Sequence, residues 1–158
     1  MKLKGITRAG IIAAVYVCLT YLGAPFASGV VQVRLSEAMC ILPVFSSFAV
    51  PGLFVGCFAA NLVTGAHIFD CLFGSIATLI GGFGTYWLRN TRMAFLPPII
   101  SNTVIIPLIL SYVYHFEGSL WWFALTVFAG EVISCGLLGY ILYSAINKNQ
   151  MLRKYFSD

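Results

Sequence analysis

The sequence predicts an all-α membrane protein, a compact bundle of six transmembrane helices with both termini in the cytoplasm. Three observations carry that expectation. First, 60% of the 158 residues are apolar and 9% are charged, whereas a soluble domain carries about a quarter charged residues. A chain so poor in polar side chains cannot cover its own surface, so the bilayer is its solvent. Second, the apolar residues fall into segments that suit about six short spans at roughly 20 residues each. No linker, repeat or soluble domain fits beside them, and residues 1–158 read as one domain. Third, the basic residues gather on one side. Lys2, Lys4 and Arg8 precede the first helix, Arg89 and Arg92 separate the fourth from the fifth, and Lys148, Arg153 and Lys154 follow the sixth. With six spans these face the cytoplasm, as the positive-inside tendency requires, and only Arg34 lies outside. Topology thus accounts for the net charge of +4, which is no sign of a nucleic-acid partner.

The N-terminal MKLKGITR imitates a signal peptide. No small-x-small cleavage site ends the apolar run and five more such runs follow, so it reads as a retained first helix from Ile6 to Ala24. The segment GAPFASGVVQVR comes next, with Pro25 and Gly29 as breakers and VVQV as strand-like residues. The second helix starts near Ser36, which suits a cap, and runs to Ala49. Pro51 and Gly52 mark a tight turn, after which the third helix runs to Gly65. The fourth covers Phe69 to Leu88. The fifth covers Phe95 to Tyr114, with Pro97 and Pro98 in its first turn. The sixth runs from Leu120 to Ile146. The second and third helices have about 14 residues, about 21 Å of rise. They suit either a thin bundle or a re-entrant hairpin, and both keep the parity of the charges.

The polar groups within or beside the spans lie between the midplane and the outer face. Glu131 sits in VFAGEVISCGLLGYILYSAI, about 16 Å below the outer end of its helix, and Asn102 about 18 Å below its own. Asn61 is about 6 Å inside the third helix. Glu37 and Asp70 open the second and fourth helices on the outer side, with Arg34 just before Glu37. This asymmetry predicts a polar cavity opening outward. Glu37 and Asp70 also suit plain first-turn acids favoured by the helix dipole. Arg34 also suits a loop-holding pair with Glu37, and the two asparagines suit interhelical hydrogen bonding. A lone buried carboxylate needs a partner, and no basic residue is expected at the depth of Glu131. It is therefore either protonated or paired with an arriving cationic ligand.

Trp121, Trp122, Tyr112 and Tyr114 fall at the outer boundary, where an interfacial belt is the plain reading; one or two also suit stacking on a planar ligand. His67 and His115, without a carboxylate at ligand spacing, make a poor metal site. Cys18, Cys40, Cys57, Cys71 and Cys135 contain no CxxC pair and read as small hydrophobes. No metal or cofactor is expected. Small residues recur at four-residue spacing, in Ala9 and Ala13, Gly10 and Ala14, and Gly52, Gly56 and Ala60. The later set suits internal packing; the set on the first helix suits docking on another membrane protein. No GxxxxGK[ST] phosphate loop, HExxH or GxSxG motif is present, and no duplicated halves with broken helices. A small bundle with an outward pocket and no engine looks like the binding part of a larger transporter.

The runs VQVRLSEAMCILPVFSSFAVPGLFVGCFAANL, IFDCLFGSIATLIGG, LPPIISNTVIIPLIL and FAGEVISCGLLGY resemble the QueT family of queuosine-precursor transporters, over about Gln32 to Tyr140. The combination of RLSEAM-x-x-LP with FAVPGLF-x-G-x-x-AN is specific. The resemblance implies a substrate-binding S component of an energy-coupling factor (ECF) transporter in a bacterial cytoplasmic membrane. It implies partners too: one transmembrane coupling protein and two ATPases, docked through the stripe that Ala9, Ala13, Gly10 and Ala14 match. The implied ligand is a 7-deazaguanine, foremost 7-aminomethyl-7-deazaguanine. Two carboxylates and two asparagines complement its donor edge, carbonyl and cationic aminomethyl group. On this reading Glu131 and Asn102 take the deep polar edge, and Glu37, Asn61 and Asp70 take donors nearer the mouth beside Arg34. One of Phe45, Tyr112, Trp121 or Trp122 stacks on the ring, and the loop from Pro25 to Arg34 acts as a lid. The alternatives are an S component for another vitamin-like solute, a stand-alone facilitator or channel, and a purely structural membrane subunit.

Overall fold

The computed structural model describes residues 2–27, 31–115 and 118–156, and every regular element among them is helical. Helix α1 spans Lys2–Ala27. A 3-10 segment follows at Leu35–Val44, then α2 at Ala49–Val63, α3 at Ile68–Trp87 and α4 at Leu96–Tyr112. The last rod is continuous from Leu120 to Lys148. It comprises α5 (Leu120–Glu131), a π-helical stretch (Val132–Leu138) and α6 (Gly139–Lys148). A short α7, Gln150–Phe156, closes the chain. Among the described residues three helices are long and apolar enough to cross a membrane: Leu3–Pro25, Ile68–Trp87 and Leu120–Lys148.

Residue pattern explains why this bundle suits lipid. Along α3, Gly74, Ser75, Thr78, Gly81, Gly82 and Thr85 face inward, while Phe73, Ile76, Ile80 and Phe83 are exposed. The small inward residues let backbones approach, and the apolar outward ones meet acyl chains. The buried hydroxyls are satisfied locally: Thr78 Oγ1 donates to the Gly74 carbonyl at 3.1 Å and Thr85 Oγ1 to the Ala94 carbonyl at 2.9 Å. Glycines allow backbone-to-backbone approach between two pairs of helices. A Cβ on Gly52 would stand 2.8 Å from the Ala9 carbonyl oxygen, and one on Gly56 3.0 Å from Ala13 Cα. A Cβ on Gly81 would stand 2.7 Å from Pro98 Cα. These contacts lock α1 to α2 and α3 to α4. Successive helices from α1 to α5 pack on one another, and the 3-10 segment touches α1, α2, α3 and the last rod. That segment therefore lies inside the bundle, with Ser36, Glu37 and Met39 to Pro43 buried.

Several boundaries differ from the sequence expectation, each for a physical reason. Pro25 does not end α1, because so near the C-terminus it forfeits one backbone bond in the last turns. Pro51 and Gly52 are not a turn. Pro51 sits in the first turn of α2, where a missing N–H would have no intrahelical partner anyway. The turn lies earlier, where Phe45 N donates to the Leu42 carbonyl at 2.9 Å and Ala49 N to the Ser46 carbonyl at 3.2 Å. The expected second helix is a 3-10 segment of 10 residues. At about 2.0 Å per residue it still covers about 20 Å. Val31 to Val33 form no strand. Ser28 to Val30, part of the expected lid, lie outside the described residues. Helix α7 was not expected; Asn149 caps it, its Oδ1 accepting from Met151 N at 3.0 Å and Leu152 N at 3.3 Å.

Candidate substrate cavity

A cavity of about 640 Å³ opens at one end of the bundle. That volume is typical of small-molecule sites. Its wall comes from the last turns of α1 (Tyr16, Thr20, Gly23, Ala24), from Gln32, Arg34, Leu35 and Ser36, from the α2–α3 junction (Asn61, Thr64, Ala66, Asp70), and from Leu110, Tyr114, Trp122, Phe123 and Thr126. These are the helix ends opposite those that carry Lys4, Arg89 and Lys148.

Hydrogen bonds pin the wall. Asn61 Nδ2 donates to the Asp70 carbonyl at 3.3 Å, tying α2 to α3. The Tyr114 hydroxyl donates to Asp70 Oδ2 at 3.3 Å and accepts from His67 N at 3.1 Å. Burial pushes the Tyr114 hydroxyl above its usual pKa and Asp70 adds to the shift, so it stays a donor. Thr20 Oγ1 donates to Ser36 Oγ at 2.8 Å. Gln32 and Arg34 ride on the last rod. Arg34 N donates to Ser134 Oγ at 3.0 Å, and the place of a Cβ on Gly130 is filled by the Gln32 carbonyl. Burial alone would lower the Arg34 pKa; the charges of Asp70 and Glu37 more than offset this and raise it. Its guanidinium is a fixed positive charge at the wall.

Beneath the wall lies a second polar layer. The Tyr16 hydroxyl, itself at the cavity, donates to Glu37 Oε1 at 2.5 Å. Cys40 Sγ donates to Glu37 Oε2 at 3.0 Å. Cys135 Sγ stands 3.2 Å from Glu131 Oε2 and 3.3 Å from the Glu37 carbonyl oxygen. Asn102 Nδ2 donates to Glu131 Oε1 at 3.0 Å. Glu37, Asn102 and Glu131 are all buried.

The structure thus divides the expected site residues. Arg34, Asn61, Asp70 and Trp122 line the cavity. Glu37, Glu131 and Asn102 do not; they bond within the protein, and the Glu37 carboxylate accepts from Tyr16 of the wall. The Glu37 carboxylate takes Tyr16 and Cys40 rather than Arg34. Phe45 packs against Tyr143, ring centroids 5.5 Å apart, away from the cavity. Tyr112 and Trp121 are exposed outward on the bundle surface, as an interfacial belt requires. Ala9 and Ala13 are taken up by Gly52 and Gly56 of α2, whereas Gly10 and Ala14 are exposed and Gly10 has nothing within 4 Å of its Cβ position. Tyr16, Gln32 and Ser36 were missed as site residues, and Tyr114, read as a belt or stacking aromatic, serves the wall through its hydroxyl on Asp70. One signal was available, because a tyrosine inside an apolar helix needs a hydrogen-bond partner for its hydroxyl.

An apolar helical bundle with a cavity of small-molecule size at one end, its mostly apolar wall edged by Arg34, Asn61 and Asp70, suits a membrane protein that admits a small molecule. The chain belongs to the QueT transporter family, whose model matches residues 6–148. No match was found among curated proteins or among solved structures. Family membership gives the chain a transport role with a small-molecule substrate, rather than an enzymatic one.

Proposed function

We propose that this chain is the substrate-binding S component of an ECF importer, with six membrane passes and both termini in the cytoplasm of a bacterium. Placement of the basic helix ends in the cytoplasm makes the cavity open outward. The ligand is a queuosine precursor, 7-aminomethyl-7-deazaguanine or a close relative. The observation that carries this reading is the cavity wall itself. Arg34, Asp70 and Asn61 stand there together beside Trp122 and Phe123, and a planar, cationic, amide-edged heterocycle needs all of those complements. Asp70 takes the aminomethyl cation, because it is the carboxylate among the described wall residues. Asn61 and Arg34 donate to the ring carbonyl, and Trp122 stacks on the ring. Glu37, Glu131 and Asn102 hold the layer beneath. A transmembrane coupling protein and two ATPases supply the energy, docking on the exposed small-residue face of Gly10 and Ala14.

The test is a calorimetric or thermal-shift titration of the detergent-purified chain alone. The ligands are 7-aminomethyl-7-deazaguanine, its nitrile analogue, queuine, guanine, riboflavin and thiamine. Saturable, selective stabilisation by a deazaguanine is expected without ATP. Selective stabilisation by riboflavin or thiamine instead would make the chain an S component for a different solute.

A further inference from the structure

Glu37 and Cys40 are three residues apart on a 3-10 segment, where positions i and i+3 eclipse. Glu131 and Cys135 are four apart where the last rod passes from α-helix to π-helix, so they share one face. Each segment therefore presents a carboxylate with a thiol beside it, at 3.0 Å in one pair and 3.2 Å in the other. The two segments pack face to face, and Cys135 Sγ crosses to within 3.3 Å of the Glu37 carbonyl oxygen. Long 3-10 runs are uncommon, and π-helical insertions gather at functional sites. Here both irregularities meet at one cluster, and its four side chains are between 0% and 5% exposed.

We propose that Glu37, Cys40, Cys135 and Glu131 form a binding site for one thiophilic divalent cation of the Zn2+ class. The ligand atoms of Glu37, Cys40 and Cys135 already lie within 4.8 Å of one another. Tetrahedral zinc, with Zn–S near 2.3 Å, needs donors about 3.8 Å apart, so a contraction of about 1 Å closes the set. Glu131 Oε2, 3.2 Å from Cys135 Sγ but farther from the rest of the set, swings in as the fourth donor. Paired thiols select zinc-like ions over Mg2+ or Ca2+, and binding releases the two thiol protons. Tyr16 on Glu37 and Asn102 on Glu131 hold the outer carboxylate oxygens, as groups around a metal site orient its ligands. Tyr16 also lines the cavity, so the cluster's outer hydrogen bond begins at the cavity wall.

The full chain, purified in detergent and stripped with a chelator, is titrated with Co2+ and then with Zn2+. The expected result is one equivalent of Co2+ with thiolate-to-metal charge-transfer absorption, displaced by Zn2+. The band persists in the Cys18→Ser, Cys57→Ser, Cys71→Ser triple variant and disappears in Cys40→Ser combined with Cys135→Ser. Asn102→Ala weakens Co2+ binding by about tenfold or more. Absence of the band in folded wild type, or its survival without Cys40 and Cys135, overturns the site. Should the double variant fail to fold, the triple variant decides: it leaves those two as its only cysteines, and no band there overturns the site equally. No substrate enters this experiment, so its outcome is independent of the transport reading.

Discussion

Asp70 and Glu131 are both carboxylates in an apolar bundle, and their surroundings give them different roles. Asp70 stands at the cavity wall, steered by Tyr114. Glu131 is closed in by Asn102 and Cys135. On the proposed assignment Asp70 is the charge that meets the ligand cation, so Asp70→Ala is expected to weaken ligand binding by about 2–5 kcal/mol. An unchanged dissociation constant by calorimetry would remove Asp70 from the site. Glu131→Ala leaves the Asn102 amide and the Cys135 thiol without their acceptor. The expected cost is about 1–3 kcal/mol of stability, read as a lower thermal midpoint, with a smaller loss of affinity than for Asp70→Ala. The opposite ranking of affinities would return Glu131 to direct ligand contact. The depth of Glu131 was legible in the sequence, since it follows from helical rise. Its partner was not, because Asn102 lies on another helix and only packing decides which of several amides turns toward it.

Irregular elements place the site. A regular α-helix from Ser36 to Ala49 would distribute Glu37 and Cys40 differently from the eclipsed register of the 3-10 segment. The π-helical stretch carries Ser134 and Cys135, which hold Arg34 and touch Glu37. Between them Gly130 admits the Gln32 backbone where any Cβ would collide. Gly130→Ala should therefore lift Gln32 and Arg34 off the last rod. Overpacking of this kind costs about 1–3 kcal/mol, and affinity should fall with it because Arg34 leaves the wall. A variant with unchanged thermal midpoint and unchanged affinity would show that this contact positions nothing. Helix existence was readable from apolar run length. The 3-10 and π registers were not, since the backbone bonding pattern of a short buried segment depends on what packs around it.

At the scale of the molecule, the arrangement contains a cavity and a membrane-facing surface, and the proposed transport cycle needs a partner for motion. The small-residue stripe of α1 splits in two. Ala9 and Ala13 are consumed by α2, so only the Gly10 and Ala14 face is open to a second membrane protein. Gly10→Trp is expected to spare ligand binding by the purified chain and to abolish uptake by vesicles that also hold the coupling protein and ATPases. Full uptake in that variant would remove this face from docking, and uptake by the chain alone, without any ATPase, would favour the stand-alone facilitator.

The sequence by itself determined the solvent of this protein, its all-helical class, the approximate places of its long apolar helices, the segregation of basic residues to one set of helix ends, and the family to which it belongs. These are properties of composition, run length and local strings, which need no knowledge of what touches what. Only the tertiary structure decided which polar residues share a cavity and which satisfy one another beneath it. Six carboxylate, amide and guanidinium groups that the sequence placed in the outer half of the bundle, Arg34, Glu37, Asn61, Asp70, Asn102 and Glu131, separated into a wall and a buried layer. The reason is that depth along a helix is a one-dimensional quantity carried by the chain, whereas the direction of each side chain around that helix is settled by how neighbouring helices pack.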